Sequence, residues 1–323
     1  MKKIISLLLV MLVLSYLGQA FSGELYNFKG SSLTDSLKLI RDNLGIVIIS
    51  NILFYLFEMW RLSIIGKAFN MNFTFKECFG AISLNILFAW ITPAAILGAP
   101  ALAYFLYRKG YPLAESITVA FVRSFSIILI SALTTIFIYS MGMQGKIDNP
   151  VLQEKVFQVL TFFAVYIFGL VAVSYMPFKF VKKIKFLDKI TTQIRAFLSN
   201  GMHLIIPILG LGLILNFLLV SFIMYAGLKY YSDVGLLISQ SMLFLSYMLL
   251  MPTPGASGLA EIGAPMFFGH EISVTDIVSI VTAMRISVIG IQVTVGIIFM
   301  FYFFKRDLSF SELKDFNKPK IET

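Results

Sequence analysis

Apolar residues in this chain run in blocks of roughly twenty, separated by short polar segments, and that is the length a helix needs to cross the hydrocarbon core of a bilayer. Six uninterrupted blocks predict full spans at 4–21, 44–60, 114–140, 156–176, 203–229 and 277–304. Two further blocks, 79–107 and 234–268, carry helix breakers in their middle. The first breaks at Thr92-Pro93 and Gly98, the second at Met251-Pro-Thr-Pro-Gly-Ala-Ser-Gly258, where Pro252, Thr253, Pro254, Gly255 and Gly258 follow in quick succession. Proline removes a backbone donor and glycine loosens the chain. At membrane depth such a break survives only where protein or water satisfies the freed groups.

The block 79–107 is too short for two crossings, which need about 40 residues, and it has basic residues on both flanks, Lys76 before it and Arg108 and Lys109 after it. A re-entrant hairpin that enters and leaves on one face fits both facts. The block 234–268 predicts a second hairpin opening from the other face. The expected fold is therefore an all-α polytopic membrane protein of six transmembrane helices and two re-entrant broken-helix hairpins, eight hydrophobic segments in all. It forms a single membrane domain over 1–323, with one half at 1–145, a second at 150–306 and a short cytoplasmic tail at 307–323. Each half reads span, span, hairpin, span, which makes the halves antiparallel. Thr92-Pro93 matches Thr253-Pro254 at an offset of 161, as do Ala99 with Ala260 and Glu115 with Asp276, and Arg123 meets Arg285 at 162. Order, orientation and these identities together resemble an inverted repeat of the kind secondary transporters use.

Charge orients the layout. Of 26 Lys and Arg residues, 18 fall in segments placed in the cytoplasm, six outside and two within spans. Arg61 is counted with the cytoplasmic group. This excess puts both termini in the cytoplasm. The stretch 4–21 reads as a first span in preference to a signal peptide, because its apolar run exceeds a usual signal core. Residues 22–43 form an external loop in which Leu33, Leu37 and Ile40 predict a short interfacial helix.

Composition then excludes several classes. Hydrophobic residues make up 58% of the chain and charged ones 13%, outside the range of soluble domains. The net charge of +9 sits in clusters beside apolar blocks, which implies anionic headgroups and the bilayer as partners, not nucleic acid. Lys182, Lys183, Lys185, Lys189 and Arg195, interleaved with Ile184, Leu187, Ile190, Ile194 and Leu198, suit an amphipathic face on an anionic leaflet. Cys78 is the only cysteine, and His203 and His270 have no neighbours at metal-ligand spacing, so no cofactor or metal is expected.

Arg123 and Arg285 are the charges with most to say, since a guanidinium well inside a span faces a cavity or a partner, and its fork matches phosphate oxygens. Glu261 reads equally as a proton-coupling carboxylate or as the counterion of an arginine. Half-helices starting after Pro93 and Gly258 would aim backbone amides at an anion. Glu58 beside Arg61 reads as a local ion pair.

On these residues the chain resembles the lysylphosphatidylglycerol synthase transmembrane, or flippase-like, family, and looks like a stand-alone member. The resemblance covers about 44–304. Its carriers are Thr92-Pro93 through Gly98-Ala-Pro100, the following Tyr104 to Gly110, Arg123, Pro252-Thr-Pro-Gly255 with Gly258 and Glu261, and Arg285. Where members usually have an acidic residue before the proline of the first motif, this chain has Ala99. The resemblance implies a protein of the cytoplasmic membrane that moves or presents lipids, without the aminoacyl-transferring synthase domain of bifunctional members. The expected function is transport of an anionic phospholipid or polyprenyl-phosphate headgroup, with no enzymatic step. Alternatives are a membrane enzyme acting on a headgroup, or a scaffold presenting lipid to a separate lipid synthase. Substrate, coupling and oligomeric state are open at this point.

Overall fold

The structure is a computed structural model that describes residues 33–92, 97–141, 192–194, 201–249, 259–269 and 271–307, with residues 161 and 197. The spans expected at 4–21 and 156–176, most of the basic run up to Arg195, His270, Pro93, the second break at Pro252, Thr253, Pro254, Gly255 and Gly258, and the tail beyond residue 307 lie outside the described residues. Within them the chain forms helices and turns and no strand. In order these are α1 (Leu33–Asp42), α2 (Leu44–Ala68), α3 (Phe75–Ile91), α4 (Gly98–Arg108), α5 (Leu113–Ser140), α6 (Met202–Gly227), α7 (Val234–Leu249), α8 (Leu259–Phe268), α9 (Val274–Met284), a π-helical turn (Arg285–Ile289) and α10 (Gly290–Asp307).

Four helices among the described residues are long and apolar enough to cross a membrane: Leu44–Ala68, Leu113–Ser140, His203–Gly227 and the run Val274–Phe303 through the π turn. They coincide with four of the six predicted spans. The first is longer than expected. It continues past Trp60 to Ala68, so Arg61, expected just outside the span, lies inside the helix and is fully buried. The flanking helix α1 leaves Leu33 and Leu37 exposed, while Ser36 is buried and its Oγ donates to the Ser279 carbonyl of α9 at 3.2 Å.

Both broken blocks fold back on themselves. The first hairpin starts at a capping box, in which Thr74 Oγ1 accepts from the Glu77 amide and the Glu77 carboxylate accepts from the Thr74 amide. This arrangement satisfies two helix-end donors at once. Its helices have 17 and 11 residues, about 25 and 16 Å at 1.5 Å per residue, and neither matches a core about 30 Å thick. They lie antiparallel: Gly98 of α4 faces the Asn85 carbonyl and Ala89 of α3, where a Cβ would meet both at 3.0 Å. At the open end the Tyr111 hydroxyl donates to the Asn72 carbonyl at 2.9 Å and to the Glu77 carboxylate at 3.2 Å. The entry and exit of the hairpin are thus pinned together.

The second hairpin, α7 with α8, is also antiparallel. Phe244 packs edge-on against Phe267 and Phe268, each at 5.6 Å between ring centres, and the Tyr247 ring lies against Gly263, where any side chain would collide with it. Helices α2 and α6 run in opposite directions, since Phe69 just beyond the end of α2 stacks on Phe197 just before the start of α6. The α3–α4 hairpin follows the end of α2 and the α7–α8 hairpin follows the end of α6. They therefore open at opposite ends of the bundle.

Two apolar clusters form the core, one around α2, α3, α4 and α10, the other around α7, α8, α9 and the end of α6. The halves of the sequence do not keep to separate clusters. Phe299 and Phe303 of α10 pack on Phe105 of the first hairpin, at 5.9 and 5.0 Å between ring centres.

Candidate functional site

Three charged residues from two helices meet inside the first cluster. Glu58 and Arg61 are three apart on α2 and so lie on one face, and α5 brings Arg123 against them. Arg61 Nη2 donates to both oxygens of Glu58, at 2.8 and 3.0 Å. Arg123 donates to the same carboxylate from Nη2 at 2.9 Å and from Nε at 3.3 Å. Side-chain exposure is 1% for Glu58, 0% for Arg61 and 5% for Arg123, so all three have left water. Arg61 lies about 10 Å before the end of α2 and Arg123 about 15 Å after the start of α5 at 1.5 Å per residue. Such depth is tolerated because each charge has a partner. Arg61 Nη1 also donates to Ser126 Oγ at 3.3 Å, and that hydroxyl donates to the Arg123 carbonyl at 2.7 Å.

The second ion pair lies in the other cluster. Glu261, in the first turn of α8, accepts a hydrogen bond from Arg285 Nη1 across to the start of the π turn. A single π-helical turn inside an α-helix often marks a functional position. This one begins at Arg285 and is followed at once by a polar cluster. Asn51 of α2 donates from Nδ2 to the Ser287 carbonyl at 3.4 Å, and Gln292, fully buried, accepts from Trp90 Nε1 at 3.0 Å. Trp90 is at the tip of the first hairpin. Both hairpins therefore reach one stretch of chain, the second at Arg285 and the first at Gln292, about 10 Å further along by helix rise.

Of the predicted site residues, Arg123, Arg285 and Glu261 are buried or nearly so and ion-paired. Arg123 and Arg285 take different carboxylates, Glu58 (which Arg123 shares with Arg61) and Glu261. Gly98 is the close-contact residue of the first hairpin and opens α4, several residues later than a helix beginning straight after Pro93. Thr92 ties the hairpin tip: its Oγ1 donates to the Phe88 carbonyl at 2.5 Å and accepts from the Leu97 amide at 3.3 Å. Leu259 is the first described residue of the second half-helix.

Sequence reasoning underrated Glu58 and missed Arg61. A local pair was expected, but Glu58 also holds Arg123. The signal was present in Leu62, Ile64 and Ile65, which continue the apolar pattern beyond Arg61. At the offset of 162 that relates Arg123 to Arg285, Glu261 falls on Ala99. Ala99 is not an acid, and the carboxylate that holds Arg123 comes from α2.

Apolar helices long enough to cross a membrane, two folded-back hairpins and intramembrane ion pairs define a multi-pass helical membrane protein. The chain belongs to the family described as Lysylphosphatidylglycerol synthase TM region, which it matches over residues 3–296. Comparisons with curated proteins and with solved structures give no match. Membership places the chain among membrane proteins related to lipid modification or transport.

Proposed function

We propose that this protein is a flippase-like transporter of the cytoplasmic membrane, which binds an anionic phospholipid or polyprenyl-phosphate headgroup between its two hairpins and carries it across the bilayer without modifying it. The observation that carries this reading is the convergence of both hairpins on the stretch from Arg285 to Gln292, with the Arg123 guanidinium buried and that of Arg285 nearly so. Secondary transporters bind substrate where broken helices of two inverted halves approach each other. Opposite opening of the α3–α4 and α7–α8 hairpins supports an inverted repeat, and the shortness of α3 and α4 supports a re-entrant path for the first.

In this reading both termini are cytoplasmic and the first hairpin enters from the cytoplasm. Arg123 and Arg285 attract the phosphate, Glu261 balances Arg285, and the segment from Pro252 through Thr253, Pro254, Gly255 to Gly258, with Thr92, Pro93 and Gly98 opposite, lines the headgroup path. Rocking of one half against the other exposes the site to each side in turn. The bilayer and its anionic lipids are the partners, and a separate lipid-modifying synthase that delivers or accepts the headgroup is compatible with the same site.

Mass spectrometry of lipid retained by the gently purified protein tests the proposal. Anionic lipid is expected with the wild type and should be lost in an Arg285→Ala variant that still inserts and folds. Equal retention by the two would count against the assignment.

A further inference from the structure

We infer that Arg61 and Arg123 form an oxyanion site whose resident occupant is the carboxylate of Glu58, and that a phosphate group binds by taking the place of Glu58 between the two guanidiniums. The inference rests on the lipid-binding reading above and gives that reading specific phosphate-binding groups.

Four hydrogen bonds converge on one carboxylate, two from each arginine, at 2.8 to 3.3 Å. Planar forks on both sides of a small anion are the arrangement that holds phosphate as well as carboxylate. Charge does not balance here. Two guanidiniums face a single carboxylate, so one positive charge is buried without a counterion in the trio. An uncompensated charge inside a protein is costly, and the site is short of one anion.

A second, independent observation is the Nε of Arg61, which is buried and has no acceptor. Buried donors are nearly always satisfied, and an orphan one asks for an explanation. A phosphate oxygen supplies it. Phosphate offers more oxygens than carboxylate, so it can serve the four donors that Glu58 now serves and Arg61 Nε besides. The roof of the site is small: Gly212 of α6 faces Arg61 Nη1, where even a Cβ would stand 3.6 Å from that nitrogen and 3.3 Å from the Ile130 side chain.

A purely structural trio makes a different prediction from an occupied anion site, and Glu58→Gln separates them. The variant keeps the shape of the side chain and removes the competing charge. Full-length protein in detergent is assayed for retained anionic lipid by mass spectrometry, and for the shift in thermal unfolding on adding short-chain phosphatidylglycerol or inorganic phosphate. The expected result is several-fold greater retention by Glu58→Gln than by wild type, and several-fold lower retention by Arg61→Lys, which keeps the charge but not the fork. Unchanged or reduced retention by a folded Glu58→Gln, with the wild type still binding, overturns the inference and leaves the lipid-binding reading standing. If Glu58→Gln does not fold, Arg61→Lys decides, and undiminished retention by that variant overturns the inference. A wild type that retains no anionic lipid defeats the broader reading instead, and stabilisation of Glu58→Gln by inorganic phosphate would then still support the site. Stabilisation by phosphate as large as by lipid assigns it to free phosphate; stabilisation by lipid alone assigns it to a headgroup.

Discussion

Glu58 and Arg123 are 65 residues apart in sequence and 2.9 Å apart in space, joined across two helices in the buried interior of the protein. The ion pair at Arg285 is built differently. There Arg285 takes its carboxylate from the first turn of α8, at Glu261. At the sequence offset of 162 that relates Arg285 to Arg123, Glu261 corresponds to Ala99 in the first turn of α4, and Arg123 takes its carboxylate from α2.

The inverted repeat proposed above predicts a rescue. Removing one partner of a buried ion pair costs about 3–5 kcal/mol, so Glu58→Gln should lower the unfolding temperature of the detergent-solubilised protein in the absence of added anion. Adding Ala99→Glu places an acid where the second half has one, and the double variant should recover much of the loss. A double variant no more stable than Glu58→Gln would show that the two hairpins do not present this position in the same way.

The pair in the second half should be coupled energetically. Glu261→Ala and Arg285→Ala should each destabilise the protein, and the double variant should lose less than the sum of the two, with a coupling of about 0.5–3 kcal/mol for residues in direct contact. Unfolding measured for the four proteins under one condition gives the coupling directly. Strict additivity would mean that the contact contributes nothing.

How much of this could be read in advance depended on what each residue competes with. Four of the long apolar blocks became spans because backbone groups in lipid have no partner except their own helix, a constraint that pattern alone conveys. The fold-back of the first broken block was legible from its length and from Lys76 and Arg108 on its flanks. The trio was only half legible. Arg61 reads as an orienting charge at a span end, and only the packing of α5 against α2 distinguishes that from a buried partner. The π turn at Arg285 left no mark in the apolar pattern, which reports a helix but not the backbone hydrogen-bond register the helix uses.

At the base of the first hairpin, Tyr111 sets a limit at alkaline pH. Burial, reinforced by the neighbouring Glu77 carboxylate, pushes its phenol from the ordinary value near 10 up to about 12. A group whose folded value is raised stabilises the fold below the unfolded value and stops doing so as pH climbs through the folded one. The contribution of Tyr111 is therefore present below about pH 10 and fades between about 10 and 12. Tyr111→Phe keeps the edge-on contact with Phe73 at 5.1 Å but loses the bonds to Asn72 and Glu77. It should be less stable than wild type at neutral pH, and the gap between the two unfolding temperatures should shrink across that alkaline window. A gap that stays constant would show that the phenol proton does not hold the hairpin closed.

The arrangement of the hairpins can be tested without any ligand. Cys78 is a buried thiol and the only cysteine, so Cys78→Ser gives a background free of cysteine. Single cysteines at Lys76 and Tyr107 flank the first hairpin, and single cysteines at Val234 and Glu271 flank the second. Because Tyr111 bonds back to Asn72 and Glu77, the first two positions belong to one end of the bundle. In sealed vesicles an impermeant maleimide should therefore label Lys76→Cys and Tyr107→Cys from one side, and Val234→Cys and Glu271→Cys from the other. Labelling of Lys76→Cys and Tyr107→Cys from opposite sides would make α3 and α4 a crossing, and the two hairpins would no longer form a mirrored pair around Arg285 and Gln292.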